Sequence, residues 1–258
     1  MDPTTRFTEL VQGPEDELAL DEAALLIAAH AQPDLDVGAE LAVLDELAAG
    51  IPEPSLEGWR RHLFVDLGFS GNVRRYYDPA NSFLNEVVRR RRGLPITLSV
   101  LGIEVGRRVG LRFEGVGLPG HFLLRHGPET YVDPFDGGRL LGREGCVERF
   151  HAVNGAQAPF LSSYLEPVGP RAILARMLNN LKSVYTARGD VHTLAWVFEL
   201  RMALPGASPL EGREWARILG ATGRFVEAAT ELEALAALLP EEEEALLSEA
   251  FAFRARLN

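Results

Sequence analysis

Between Pro95 and Val109 the chain carries Ile96, Leu98, Val100, Leu101, Ile103, Val105 and Val109, and is apolar nearly all round. A helix of that pattern has no solvent side and must sit at the centre of its domain. Pro95 suits its first turn, where the missing N–H costs nothing. Gly110 is the expected stop, and Gly102 and Gly106, one turn apart on one face, leave room for a neighbour to pack closely.

Downstream of this helix the chain reads as a sheet. Short apolar runs at 112–117, 122–125 and 131–134 are separated by Pro119-Gly120 and Gly127-Pro128 turns. Asp136-Gly137-Gly138 is a further turn, and 140–150 is expected as a short helix or loop covering the sheet. A central helix feeding an antiparallel sheet is an α+β arrangement.

Upstream, helical spacing of Leu and Ala predicts two helices between 16 and 49 joined by 32–36, and a third over 56–67 carrying Trp59. The stretch 68–72 is a turn, and 77–82 is another, with Asn81 or Ser82 placed to cap the helix after it. That helix ends in Arg89-Arg90-Arg91-Arg92-Gly93. Positive charge in a last turn suits the helix dipole, and Gly93 suits a left-handed end; an anion-binding patch is the other reading.

The chemistry-bearing residues are few. A single cysteine, Cys146, allows no internal disulfide, and a reducing cytoplasm is expected. The six histidines are scattered without metal-ligand spacing, so neither a metal nor a cofactor is expected. A net charge of −11 argues against a nucleic-acid partner, which needs a basic surface. No run is long and apolar enough to cross a membrane, and the first residues show no secretory signal.

His121 could act as a general base with Asp133 orienting it, since both fall on neighbouring strands. Equally, His121 could bond locally after its Pro-Gly turn while Asp133 caps the Asp-Pro-Phe turn. Thr97 and Ser99 stand at the start of the buried helix as candidate nucleophiles, or as hydroxyls bonded back to the preceding turn.

Two prolines and a glycine in 164–170 mark a linker. The expected domains are therefore 1–165, with its N-terminal helices, and a helical region over 166–258. There, 185–190 aligns with 219–224, and 203–205 with 238–240, at a period of about 34 residues. Helix pairs at that period, with glycine at the inner turn, resemble tetratricopeptide repeats. The acidic residues 241–244 should begin a final helix.

Taken in order, Tyr77-Asp78-Pro79, Asn81-Ser82-Phe83-Leu84, Arg92-Gly93-Leu94-Pro95-Ile96-Thr97-Leu98-Ser99, Gly117-Leu118-Pro119-Gly120-His121-Phe122 and Asp133-Pro134-Phe135-Asp136-Gly137-Gly138 resemble the bacterial SirB-type family. That family joins a divergent transglutaminase-like domain to a C-terminal tetratricopeptide region. The resemblance implies a transglutaminase-like (papain-like) fold, with His121 and Asp133 at the superfamily's catalytic His and Asp. Asn81, Pro95, Pro119, Gly120 and Phe135 are implied as cleft residues. Counting back from Gly110, the superfamily's catalytic Cys falls near Pro95 or Ile96, neither of which can attack a substrate. The implied protein is a non-catalytic one, holding a peptide in its cleft and a protein partner on its repeats. The alternative is a hydrolase or acyl transferase that uses His121 and Asp133 with Thr97, Ser99 or water.

Overall fold

A computed structural model describes residues 2–257. In chain order the helices and strands are α1 (Pro3–Gln12), α2 (Leu20–Ala31), α3 (Val37–Ala49), α4 (Leu56–Arg60), β1 (Ser70–Gly71), α5 (Leu84–Arg90), β2 (Arg92–Gly93) and α6 (Pro95–Arg108). Then come β3 (Glu114–Val116), β4 (Leu123–His126), β5 (Thr130–Asp133), β6 (Arg139–Leu141), α7 (Arg143–Asn154), β7 (Pro167–Val168) and α8 (Pro170–Arg188). The chain ends in α9 (Val191–Ala203), α10 (Pro209–Ala221), α11 (Phe225–Leu238) and α12 (Glu243–Arg254). They fall into two compact units, one of residues 13–177 and one of the residues up to Gln12 with those from Leu178 onward.

The 13–177 unit is α+β, as the sequence implies. Its centre is α6, buried from Pro95 through Gly102 and again from Glu104 through Gly106, and packed by α2, α3 and α5. Asp36 and Ser55 accept the N–H groups of Ala39 and Gly58 and so start α3 and α4. Past Arg60 the chain widens into a π-type turn over Arg61–Asp66.

Five strands form one antiparallel sheet in the order β6-β5-β4-β3-β7. Leu124 pairs with Val132, and the two-residue alternation of strands then sorts the side chains. Leu124 meets α6 at Gly102, where an added Cβ would lie 2.8 Å from its Cδ1 and 3.0 Å from Trp59. Leu123 and Tyr131 face the other way and pack with Cys146 and Phe150 of α7. The sheet is thus a middle layer between α6 and α7. Gly106 is likewise crowded by the Phe113 ring, so both helix glycines mark close approaches, as expected.

Several local expectations change. The 164–170 linker contains β7, which pairs with β3; a proline is tolerated there because the strand lies at the sheet edge. The covering segment opens with a strand, β6, before its helix. Neither Asn81 nor Ser82 caps α5; Phe83 stands at its N-cap, and the Ser82 hydroxyl is buried without a described partner. At the other end the left-handed residue is Arg91, at φ 56°, not Gly93. Gly93 is required instead by the Val87 side chain, 2.8 Å from where its Cβ would be.

In the second unit α1, a helix the sequence pattern does not announce, packs on α9, and Gln12 Nε2 donates to the Ala203 carbonyl at 2.7 Å. Helices α10, α11 and α12 pack in succession around Ala216, Ala229, Leu232, Leu235, Leu246 and Ala250. Gly189 and Gly223 make the turns into α9 and α11 at φ 66° and 81°, which only glycine adopts without strain. Ser208 and Glu211 form a reciprocal cap on α10. Among the described residues, no helix is long and apolar enough to cross a membrane.

Candidate functional site

Leu118-Pro119-Gly120-His121 is a tight turn, closed by the His121 N–H donating to the Leu118 carbonyl at 2.9 Å. Proline at the second position and glycine at φ 74° at the third are what a type II turn demands. His121 therefore stands just ahead of β4 rather than on it, while Asp133 is the last residue of β5. The turn is held from two sides. Asn154 of α7 donates to the Pro119 carbonyl at 2.9 Å, and Arg176 of α8 donates to the carbonyls of His121 at 2.6 Å and Leu118 at 3.0 Å.

His121 and Asp133 do come together. Nε2 of His121 lies 2.9 and 3.0 Å from the two carboxylate oxygens of Asp133. The carboxylate can only accept, so Nε2 carries the hydrogen and Nδ1 of the neutral ring is an acceptor. Among the described residues nothing bonds Nδ1. Asp133 is wholly buried, and Arg149 of α7 donates to it from Nε at 2.9 Å while also reaching Asp136 at 2.6 Å. Its Oδ1 also accepts the N–H groups of Phe135 and Asp136, at 3.1 and 3.2 Å. Both sequence alternatives for Asp133 therefore hold at once: it orients the histidine and it caps the turn.

The start of α6 is tied to the same place. The Gly71 N–H donates to the Phe135 carbonyl at 2.9 Å, and Asn72 donates to the Gly93 carbonyl at 3.1 Å. Strand β1 thereby joins the residue ahead of Leu94 and Pro95 to the turn that carries Phe135. The Phe135 ring meets His121 edge-on at 5.9 Å between centroids.

Among the described residues no thiol or hydroxyl bonds the His121 ring. Pro95 and Ile96 are buried at the head of α6. The Ser99 hydroxyl donates back to the Pro95 carbonyl at 2.8 Å, the local bond that competes with any chemical role. The Thr97 hydroxyl is wholly buried and has no partner among the described residues. Cys146 lies among Val116, Leu123, Tyr131 and Phe150 between sheet and α7. Burial, with the Asp133 charge adding to it, pushes its thiol up to about 12. A thiol so held is inert at neutral pH.

The other expected cleft residues divide. Phe135 and Pro119 are half-buried beside His121, and Gly120 is exposed with Val153 close against it. Asn81 offers nothing to a ligand: it is wholly buried, donates to the carbonyls of Arg75 and Tyr76, and accepts from Asn72. The four arginines are each engaged locally, Arg89 with Glu86, Arg90 with Asp78, Arg91 with the Leu67 carbonyl and Arg92 with that of Gly68. No shared anion site results. Among the described residues no three His, Cys, Asp or Glu side chains gather as a metal would need.

Two further residues matter here that the sequence does not single out. Arg149 and Arg176 sit on helices without any motif, and only the single charge within Ile173-Leu174-Ala175-Arg176-Met177-Leu178 hints that Arg176 has an inward role.

A buried central helix, an antiparallel sheet and a His–Asp pair at one end of its inner strands β4 and β5 define an α+β protein. The chain belongs to the transglutaminase-like superfamily, whose family model matches residues 20–179. It is 43% identical over 196 residues to a UPF0162 protein of Xylella fastidiosa, covering 69% of each chain. A UPF0162 protein of Pseudomonas aeruginosa is 31% identical over 201 residues, 74% of this chain and 73% of that one. The mouse protein F-box only protein 21 is 32% identical over 138 residues, which is 49% of this chain and 21% of that one. No solved structure matches.

Proposed function

We propose that the protein is a non-catalytic member of its superfamily, a module that holds a peptide against the end of the sheet that carries His121 and Asp133. The observation that carries this is the state of every candidate nucleophile. The head of α6 offers Pro95 and Ile96, Ser99 is bonded back, and the Cys146 thiol is sealed in the core. An acyl transfer needs an attacking group within hydrogen-bond reach of its base, and His121 Nδ1 bonds none. A similar segment making up about a fifth of F-box only protein 21 supports a module that can be carried within a larger protein.

The helical region fits a second binding role. Glycines Gly189 and Gly223 at corresponding inner turns support the tetratricopeptide-like reading, with a protein as its partner. A SirB-type assignment and a cytoplasmic setting belong to this same reading.

One observation favours the alternative of a hydrolase or acyl transferase: the Thr97 hydroxyl is buried yet unbonded, so it is free of the competing local bond that engages Ser99. One experiment separates the two. The chain and its His121→Ala variant are incubated with a fluorophosphonate probe, a vinyl sulfone probe and a glutamine-peptide amidase substrate. Binding alone gives no label and no turnover above the variant. Labelling that disappears with His121→Ala or Thr97→Val would overturn the non-catalytic reading.

A further inference from the structure

Four residues stand in a ring around this site. Arg176 is bonded to the His121 carbonyl, His121 meets the Phe135 ring, and Phe135 meets Tyr76 edge-on at 6.0 Å. Tyr76 returns to Arg176, whose positive charge it feels. The loop carrying Tyr76 is pinned from inside, because Asn81 holds its carbonyl at 3.0 Å. Around Tyr76 the loop is open, with Tyr77 77% and Val73 76% exposed and Arg74 and Arg75 exposed between them.

The charges in this ring do not balance. Arg176 is half-buried, its guanidinium lies over the Phe122 ring at 5.4 Å, and its hydrogen bonds go to two main-chain carbonyls. Among the described residues no carboxylate pairs with it, although Arg149 nearby has both Asp133 and Asp136. Both carbonyl bonds come from Nη2, which leaves Nε and Nη1 to donate. The exposed Tyr76 hydroxyl adds a donor, and Nδ1 of His121, an acceptor in the neutral ring, is left for a peptide N–H. A desolvated cation without its counter-ion is costly, and an arriving anion relieves that cost. The planar guanidinium fork matches a carboxylate, and the Phe135 and Tyr76 rings suit a short apolar stem.

We propose that Arg176 and Tyr76, with the Phe135 ring beside them, form a subsite for a peptide carboxylate, supplied by an acidic side chain or by a free C-terminus, while Nδ1 of His121 accepts an N–H of the same peptide. The proposal rests on the peptide-binding reading above and names what that site prefers: the acid, where the superfamily's chemistry would begin from an amide. Burial draws the Arg176 ionisation downward, in keeping with a cation that lacks a partner.

The test is titration calorimetry of the full chain with three blocked tetrapeptides. One carries Glu, one is its Gln isostere, and the third has Gln with a free C-terminal carboxylate; a random peptide display runs alongside. The expected result is binding of one carboxylate peptide about 10-fold tighter than the blocked Gln peptide, the effect of a charge-assisted hydrogen bond. Which of the two binds identifies the source. Arg176→Gln should abolish the preference. Should that variant fail to fold, Tyr76→Phe, which removes only a half-exposed hydroxyl, should still weaken it several-fold. Equal affinity for Glu and Gln peptides, or display hits that ignore Arg176 and Tyr76, would overturn the subsite and leave the peptide-binding reading standing. Silence in both titration and display would overturn the two together.

Discussion

Glu104→Gln should make the protein more stable at alkaline pH and leave it unchanged at acid pH. Glu104 is 3% exposed on α6 and faces Asp21 of α2, which is equally buried. Arg107 reaches Glu104 at 2.8 Å and Arg108 reaches it at 3.3 Å, while Arg108 also holds Asp21 at 2.7 Å and Asp45 at 2.6 Å. Burial first, and then the Asp21 charge, lift the Glu104 carboxyl from 4.5 to about 7 against the pull of Arg107. Asp21 goes the other way: burial opposes it, but Arg108 and the Glu22 N–H outweigh burial and hold it low. Between pH 4.5 and 7 the folded chain keeps a proton on Glu104 that the unfolded chain has released, so stability falls as pH rises through that window. At about 1.4 kcal/mol per tenfold, the rise corresponds to roughly 3 kcal/mol. The Arg107 side chain is 61% exposed and lets water screen the cluster, which brings the figure nearer to about 1.5 kcal/mol. Glutamine imitates the protonated acid and cannot ionise. Urea unfolding at pH 4 and pH 8.5 should therefore give coincident curves at the lower pH and a more stable variant at the higher. A variant destabilised equally at both would overturn this account of Glu104.

Gly102→Ala should cost about 1–3 kcal/mol by overpacking, because its Cβ would press on Leu124 and Trp59, and a lowered thermal midpoint would show it. Asn81→Ala removes three hydrogen bonds from a buried loop and should cost about 3 kcal/mol, read from the urea midpoint. Cys146 should react with a maleimide only as fast as the chain unfolds, so that urea accelerates labelling in step with loss of structure. Asp133→Asn keeps an oxygen for the Phe135 and Asp136 N–H groups but strips the charge from Arg149 and His121; a loss of about 2 kcal/mol in chemical denaturation is expected.

The middle of this fold is legible because its signals are strong and local. A helix with no polar face can only be central, and Pro119-Gly120 and Asp136-Gly137-Gly138 admit few conformations. Placing β4 and β5 as neighbours brings His121 and Asp133 near each other, though the turn at 118–121, not strand alternation, sets the histidine. What stays hidden is set by partners distant in sequence. Strand β7 has no pattern of its own beyond Pro167-Val168 and exists because β3 offers it an edge. Asn81 reads as a helix cap from its place before an apolar run, yet three bonds to 72–76 claim its side chain. Arg149 and Arg176 carry no motif, since their task is defined by carbonyls and carboxylates that only the folded sheet brings to them.

The burial of the His121–Asp133 pair has a physical account in its neighbours. Asp133 satisfies two backbone N–H groups, an arginine and an imidazole in a fully buried place, so each donor would be orphaned by its loss. That alone accounts for the carboxylate. It does not account for a histidine whose Nδ1 bonds nothing, for an arginine with no counter-ion beside it, or for an exposed tyrosine held at the rim from behind. Under the proposal above, a peptide carboxylate would take the donors of Arg176 and Tyr76, while Nδ1, an acceptor, would take a peptide N–H.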